Sequence, residues 1–333
     1  MKNISLVILI ILVVFSACRE EEAPESPSDQ IPENNSWLVD TNKLSGTSII
    51  HIFPLVTQPY YSKADDVTYY NPKEPVVVFK ISDQIFIYPH WMLGIEVVND
   101  SYGEVHFAVT FCPLTETSYV IDRVIDNELH TFRASGILYQ DNLVYYDLET
   151  ESLWSQMLFR SIHGSHMEKS PQLINSFESS FEAAQTYFPE GLVFVDFEGS
   201  NTFKKTSGHG NMPNESDMIK GFPGHSTKPG YLSVLNLTHL EGKGLITEEN
   251  LLIVYHKDYG FTNAFLPITG LSFEFVDEFP LIMTDNEGNS WDVFGKAIEG
   301  PRKGQQLEGS VSFLAWWWAW KGIYNSFQHL END

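Results

Sequence analysis

Apolar and polar positions alternate along much of this chain in runs rich in Val, Ile, Phe and Tyr, a period of two that predicts β-strands. Pro75–Lys80 and Gln84–Tyr88 form the clearest pair, joined through Ser82-Asp83 as a hairpin. Similar runs cover His106–Phe111, Ser118–Arg123, His130–Ala134, Asn142–Asp147, Leu192–Phe197, Leu251–Tyr255 and Leu271–Phe275, commonly flanked by Gly, Asn, Asp or Pro. Helical spacing shows chiefly in two places. One is Ser179–Phe188, stopped by Pro189; the other runs from Val311 to about Leu330, with Phe313, Trp316, Trp320, Ile323 and Phe327 on one face. An amphipathic core helix accounts for Trp316-Trp317-Trp318 without a ligand. The pattern predicts a mainly β fold (α+β) with a few helices.

A local likeness refines that picture. Asp147, Glu149, Ser152 and Trp154 precede Arg160-Ser161-Ile162-His163-Gly164, while Asp285, Glu287, Ser290 and Trp291 precede Lys296-Ala297-Ile298-Glu299-Gly300. An apolar run leads into each copy and an aromatic-rich helical stretch follows. The expectation is one globular unit, residues 37–333, built from two related β-rich halves (about 37–198 and 231–333). A Gly/Ser/Asn-rich loop, 199–230, joins them. Repeated halves often place a site at their junction. The alternative is a structural corner used twice.

The N-terminus has a different character. Met1-Lys2-Asn3 precedes an apolar run from Ile4 to Phe15, broken only by Ser5, then Ser16, Ala17 and Cys18. The run is far shorter than the ~18–20 residues that span a bilayer. Residues 1–17 read as a signal peptide, and the segment resembles that of a bacterial lipoprotein, in which Cys18 is acylated. The lipid bilayer is then a partner through Cys18, and the address is the bacterial cell envelope, anchored to the outer membrane, on its periplasmic or surface face. Residues 18–36 (Arg19-Glu20-Glu21-Glu22, then Pro, Ser, Glu and Asn) form a flexible tether with too little apolar content to fold.

Charge narrows the partners. With 44 acidic against 20 basic residues, the net charge is −24, a field that repels nucleic acid. Cys18 and Cys112 are the two cysteines, so once Cys18 is acylated no internal disulfide is possible. His209 and His225, or His163 and His166, lack the tight spacing of a zinc site, so no metal site is expected; the sequence leaves any cofactor unknown.

The segment around Cys112 carries a resemblance. Ile95-Glu96-Val97-Val98-Asn99-Asp100, Cys112-Pro113-Leu114-Thr115, Asp122-Arg123, Ser135-Gly136-Ile137-Leu138-Tyr139 and Tyr146-Asp147 through Trp154-Ser155-Gln156 follow in order. Over about residues 75–165 this is similar to the domain of unknown function 3179 family, with its His-Glu-Ile-Val-Asn-Asp, Cys-Pro-Leu-Cys, Phe-Asp-Arg and Ser-Gly-Leu-Leu-Tyr motifs. The likeness continues more weakly into the second half. The resemblance implies no activity. It does mark departures: Ile95 stands for the family's histidine and Thr115 for its second cysteine, so a redox pair or soft-metal site built from that trio is incomplete here.

Three readings follow. A binding protein would hold a small molecule, glycan or peptide at a cleft between the halves, lined by Glu96, Asn99, Asp100, Asp147, Glu149, Ser152, Trp154, Gln156, Asp285, Glu287, Ser290 and Trp291. A thiol enzyme would use Cys112 as nucleophile, Arg123 to lower its pKa and a carboxylate such as Asp122 or Asp147 to handle protons. The third reading is a structural or assembly role in the envelope.

Overall fold

In the computed structural model, which describes residues 37–46, 49–200, 217–248 and 250–330, the chain is mostly β-strand. The expected signal peptide, Cys18, the tether and His209 lie outside the described residues.

The widest sheet has nine strands, with the hairpin Pro75–Ile81/Gln84–Pro89 near its middle. The hairpin's apolar run is continuous because both faces are covered. Val76, Val78 and Ile87 enter one core cluster, while Val77, Phe79, Phe86 and Tyr88 point the other way into a second. Ser82 turns the chain with φ 55°. Across Ser176–Ser180 the same sheet continues into Phe261–Leu266 and Leu251–His256, so segments expected to belong to separate halves share it. The helix Phe181–Tyr187 lies inside the expected stretch and starts two residues later, where the Ser180 side chain accepts the Ala183 N–H, and it ends just before Pro189.

Two expectations change. Within the expected loop 199–230, Met218–Phe222 is a strand between Phe313–Trp316 and Leu232–Asn236. Lys220 and Gly221 hid its signal. Lys220 is buried with its ammonium 3.5 Å from the Glu178 carboxylate, and a Cβ at Gly221 would fall 2.4 Å from the Trp320 ring. The expected helix at 311–330 is instead a strand (Phe313–Trp316), a short helix (Trp317–Ile323) and another strand (Phe327–His329). From Phe313 to Trp320 every residue is apolar, so period alone cannot separate strand from helix. Phe313 and Ala315 face the core from the strand, and Ala319 and Trp320 from the helix.

The likeness between 147–164 and 285–300 is one four-strand meander formed in two places. The strands are Phe132–Tyr139, Asn142–Asp147, Leu153–Ser155 and Arg160–His163 in the first, and Phe273–Glu278, Leu281–Asp285, Ser290–Asp292 and Ala297–Glu299 in the second. Phe132 pairs with Asp147 as Phe273 does with Asp285, and Trp154 with Ser161 as Trp291 does with Ala297. Structurally Asn289, not Ser290, corresponds to Ser152, since each lies two residues before its Trp and closes the turn onto its Asp. The meanders lie in separate sheets, and their tryptophans in separate core clusters.

Candidate functional site

At both corners an aspartate holds a tryptophan. The Trp154 indole N–H donates to Asp147 Oδ2 at 2.9 Å, and that of Trp291 to Asp285 Oδ2 at 2.9 Å. Asp147 Oδ1 also accepts from the Thr150 N–H, the Thr150 hydroxyl and His130 Nδ1. Asp285 takes the N–H groups of Glu287 and Asn289 together with the Asn289 amide. Gly164 and Gly300 finish the corners with φ 93° and 92°, and a Cβ on either would lie 2.7 Å from the Cα of Ser152 or Asn289. Trp154 and Trp291 are both 0 % exposed, so neither offers a face for stacking. The expected ligand-binding turns are structural corners.

Several other residues assigned to that cleft are engaged elsewhere. Asn99 clamps the Val56 and Phe132 carbonyls and the Phe132 N–H. Gln156 joins Thr110, Thr117 and Asn142 in a buried network, and Glu287 pairs with Arg302 at 2.6 Å. Asp100 accepts the Tyr61 hydroxyl, and burial holds its carboxyl above the ordinary range. His130, Asp147 and Glu149 present ligand atoms close enough together for a cation. They do not suit one: both Asp147 oxygens already accept hydrogen bonds, and Glu149 Oε2 accepts the Thr131 N–H at 2.7 Å.

The expected catalytic trio does not assemble. Cys112 lies opposite Thr117 at one end of a strand pair, and Asp122 opposite Phe107 at the other. Five residues of strand put ~17 Å between those ends. Asp122 caps the Val124 N–H. The Arg123 guanidinium bonds the His130 and Asp100 carbonyls and the Thr131 hydroxyl. Cys112 is 1 % exposed, and burial, with the nearby Glu96 charge, pushes its thiol up to about 11. Such a thiol is neither ionised nor reachable, so it is no nucleophile. Thr115, at the family's second cysteine, bonds Thr117 and Asn142, while Ile95, at its histidine, is core.

Glu96 is different. It follows the short 3-10 turn Met92–Ile95 with φ 72° and ψ −38°, a left-handed conformation that costs a non-glycine residue roughly 1–3 kcal/mol. Its N–H reaches the Leu93 carbonyl, and its own carbonyl accepts the Phe111 N–H. The side chain is 8 % exposed, and its carboxyl makes no hydrogen bond or ion pair among the described residues. Burial raises its pKa to about 8. It lines a cavity of about 250 Å³ with Phe53, Gly94, Pro113, Leu114, Gly136 and Leu138. These come from segments far apart in sequence that meet where the Val97–Tyr102 and Val105–Cys112 strands begin and end.

Residues 51–216 match the family model described as a protein of unknown function (DUF3179). Over this stretch the chain resembles the DUF3179 family. No curated protein and no solved structure matches the chain. Every residue named on the Glu96 cavity wall lies in the DUF3179 segment, and all but Phe53 lie within or beside the Glu-x-Val-Asn-Asp, Cys-Pro-Leu and Ser-Gly-x-Leu-Tyr stretches. Sequence reasoning singled out Glu96 but not Leu114, Gly136 or Leu138. Their motifs were visible; their convergence was not.

A larger cavity, about 530 Å³, lies between the Pro75–Pro89 hairpin and the second meander. Lys80 stands 5.7 Å from the Phe294 ring centroid there, beside Asp292 and Lys296. Its polar groups are more committed: Asp292 Oδ1 accepts the Phe294 and Lys296 N–H groups, and the Gln306 amide reaches the Phe294 and Leu307 carbonyls.

Proposed function

We propose that this chain is a cell-envelope lipoprotein that binds a small, largely apolar molecule in the Glu96 cavity. One observation carries the reading: the carboxyl of Glu96, a residue 8 % exposed, has no hydrogen-bond partner among the described residues and faces an apolar cavity from a strained backbone. A buried polar group with nothing to bond is costly, and such groups cluster at ligand sites. The lining by three DUF3179 motifs supports the same place. The thiol-enzyme reading loses its support because Cys112 is sealed in the core.

A ligand-observed NMR screen of small aromatic and aliphatic fragments against the mature chain tests the site. Hits should vanish in Leu114→Trp, which fills the cavity, while the melting transition persists. Equal binding to wild type and Leu114→Trp would remove the cavity from consideration. The cleft between the expected halves is the second reading, favoured by the larger Lys80–Lys296 cavity, which is lined from both. Loss of hits in Gln306→Trp instead of Leu114→Trp would move the site there. Acylation at Cys18 is the anchoring half of the proposal. Cys18→Ala should shift the chain from the membrane to the soluble fraction, and its retention in the membrane would argue against the anchor.

A further inference from the structure

We infer that the ligand of the Glu96 cavity is a primary or secondary amine on a compact apolar body, its ammonium paired with the Glu96 carboxylate. The inference rests on the reading that this cavity is the binding site, and it names what that site selects. Ile52, Phe53, Pro113, Leu114 and Leu138 give the wall an apolar surface, and Glu96 is its one charged member. A volume of about 250 Å³ suits a single ring or a short branched chain rather than a sugar chain or peptide.

Among the described residues no cation pairs with the Glu96 carboxyl, and none lines the cavity. The neighbouring Arg133 guanidinium is held by the Phe53 carbonyl through Nε and Nη2. Cys112, the titratable side chain that feels Glu96, is a neutral thiol at pH 7. The backbone on either side of Glu96 is already bonded to Leu93 and Phe111. What the carboxyl lacks is therefore a donor that brings positive charge, and an ammonium supplies both. A neutral hydrogen-bond acceptor would engage only the protonated acid.

The two cases differ in proton balance. With its pKa near 8, Glu96 is mostly the neutral acid in the empty cavity at pH 7. An ammonium that binds it as an ion pair drives the carboxyl proton into solvent: the O–H bond breaks, the ammonium keeps its own protons, and close to one proton leaves per ligand. A neutral ligand releases none.

Benzylamine and benzyl alcohol are the probes, titrated into the mature chain by calorimetry at pH 7 in two buffers of different ionisation enthalpy. Benzylamine should bind at least about tenfold more tightly than the alcohol, with close to one proton released. Glu96→Gln should abolish the proton release and the preference together. If the alcohol binds as well as the amine and no proton is released, the cavity reading stands and the amine is excluded. If neither probe binds, the amine inference fails, and fragment hits in the same cavity would show that the site itself survives.

Discussion

Asp147 and Glu96 are both buried carboxyls in the DUF3179 segment, 51 positions apart, and their surroundings are opposite. Asp147 receives donors on both oxygens from Thr150, His130 and Trp154. Glu96 receives none among the described residues and faces a cavity. Burial alone therefore does not identify a site. A buried acid with every lone pair engaged fixes the fold, whereas one without partners stands ready for something that arrives later. Asp285 confirms the first half of the contrast, since it builds the same tryptophan corner without a histidine. His130 is thus an addition to the first corner, not a requirement of the motif.

The largest expected effect comes from removing a saturated acid. Asp147→Ala leaves the Trp154 indole N–H, the Thr150 N–H and His130 Nδ1 facing a hole in the core, and should cost about 4 kcal/mol in urea unfolding. Asp285→Ala should cost less, about 2 kcal/mol, because its turn lies nearer solvent and water can replace some donors. Equal losses would break the distinction between the two corners. A negligible loss at Asp147 would overturn its structural role and reopen the ligand reading for Trp154.

How much of this was legible in the sequence differs by region. The Pro75–Pro89 hairpin was plain because its Val and Phe run is buried on both faces and Ser82-Asp83 marks the turn. The paired corners were visible as a likeness, but one dimension cannot tell a tryptophan that stacks on a ligand from one that turns inward to an aspartate. Spacing is the same in both cases, and only the side-chain direction differs. At Met218–Phe222 the buried Lys220 made a central strand look like loop, since its partner Glu178 lies 42 positions earlier. The Cys112 trio failed for a geometric reason. Asp122 and Arg123 are near it in sequence, yet an extended strand carries them ~17–20 Å away. Glu96 stood among the motif residues, but its left-handed backbone and missing partner exist only in three dimensions.

The unpartnered acid yields a smaller effect of opposite sign. Its pKa rises from 4.5 to about 8 on folding, with burial as the cause. The folded chain therefore keeps a proton that the unfolded chain releases as pH climbs through that window. Stability linked to Glu96 is highest below about pH 4.5 and declines progressively until pH 8. Glu96→Gln cannot titrate, so the wild type should lose about 3 kcal/mol relative to this variant between pH 4.5 and pH 7.5. Comparing the two chains cancels the repulsion from the net charge of −24, which acts on both. Parallel stability curves would mean that Glu96 finds a partner in the folded protein, and the contrast with Asp147 would then collapse. An amine added at pH 7.5 should close the gap by restoring stability to the wild type alone, because binding favours the ionised carboxylate that folding by itself disfavours.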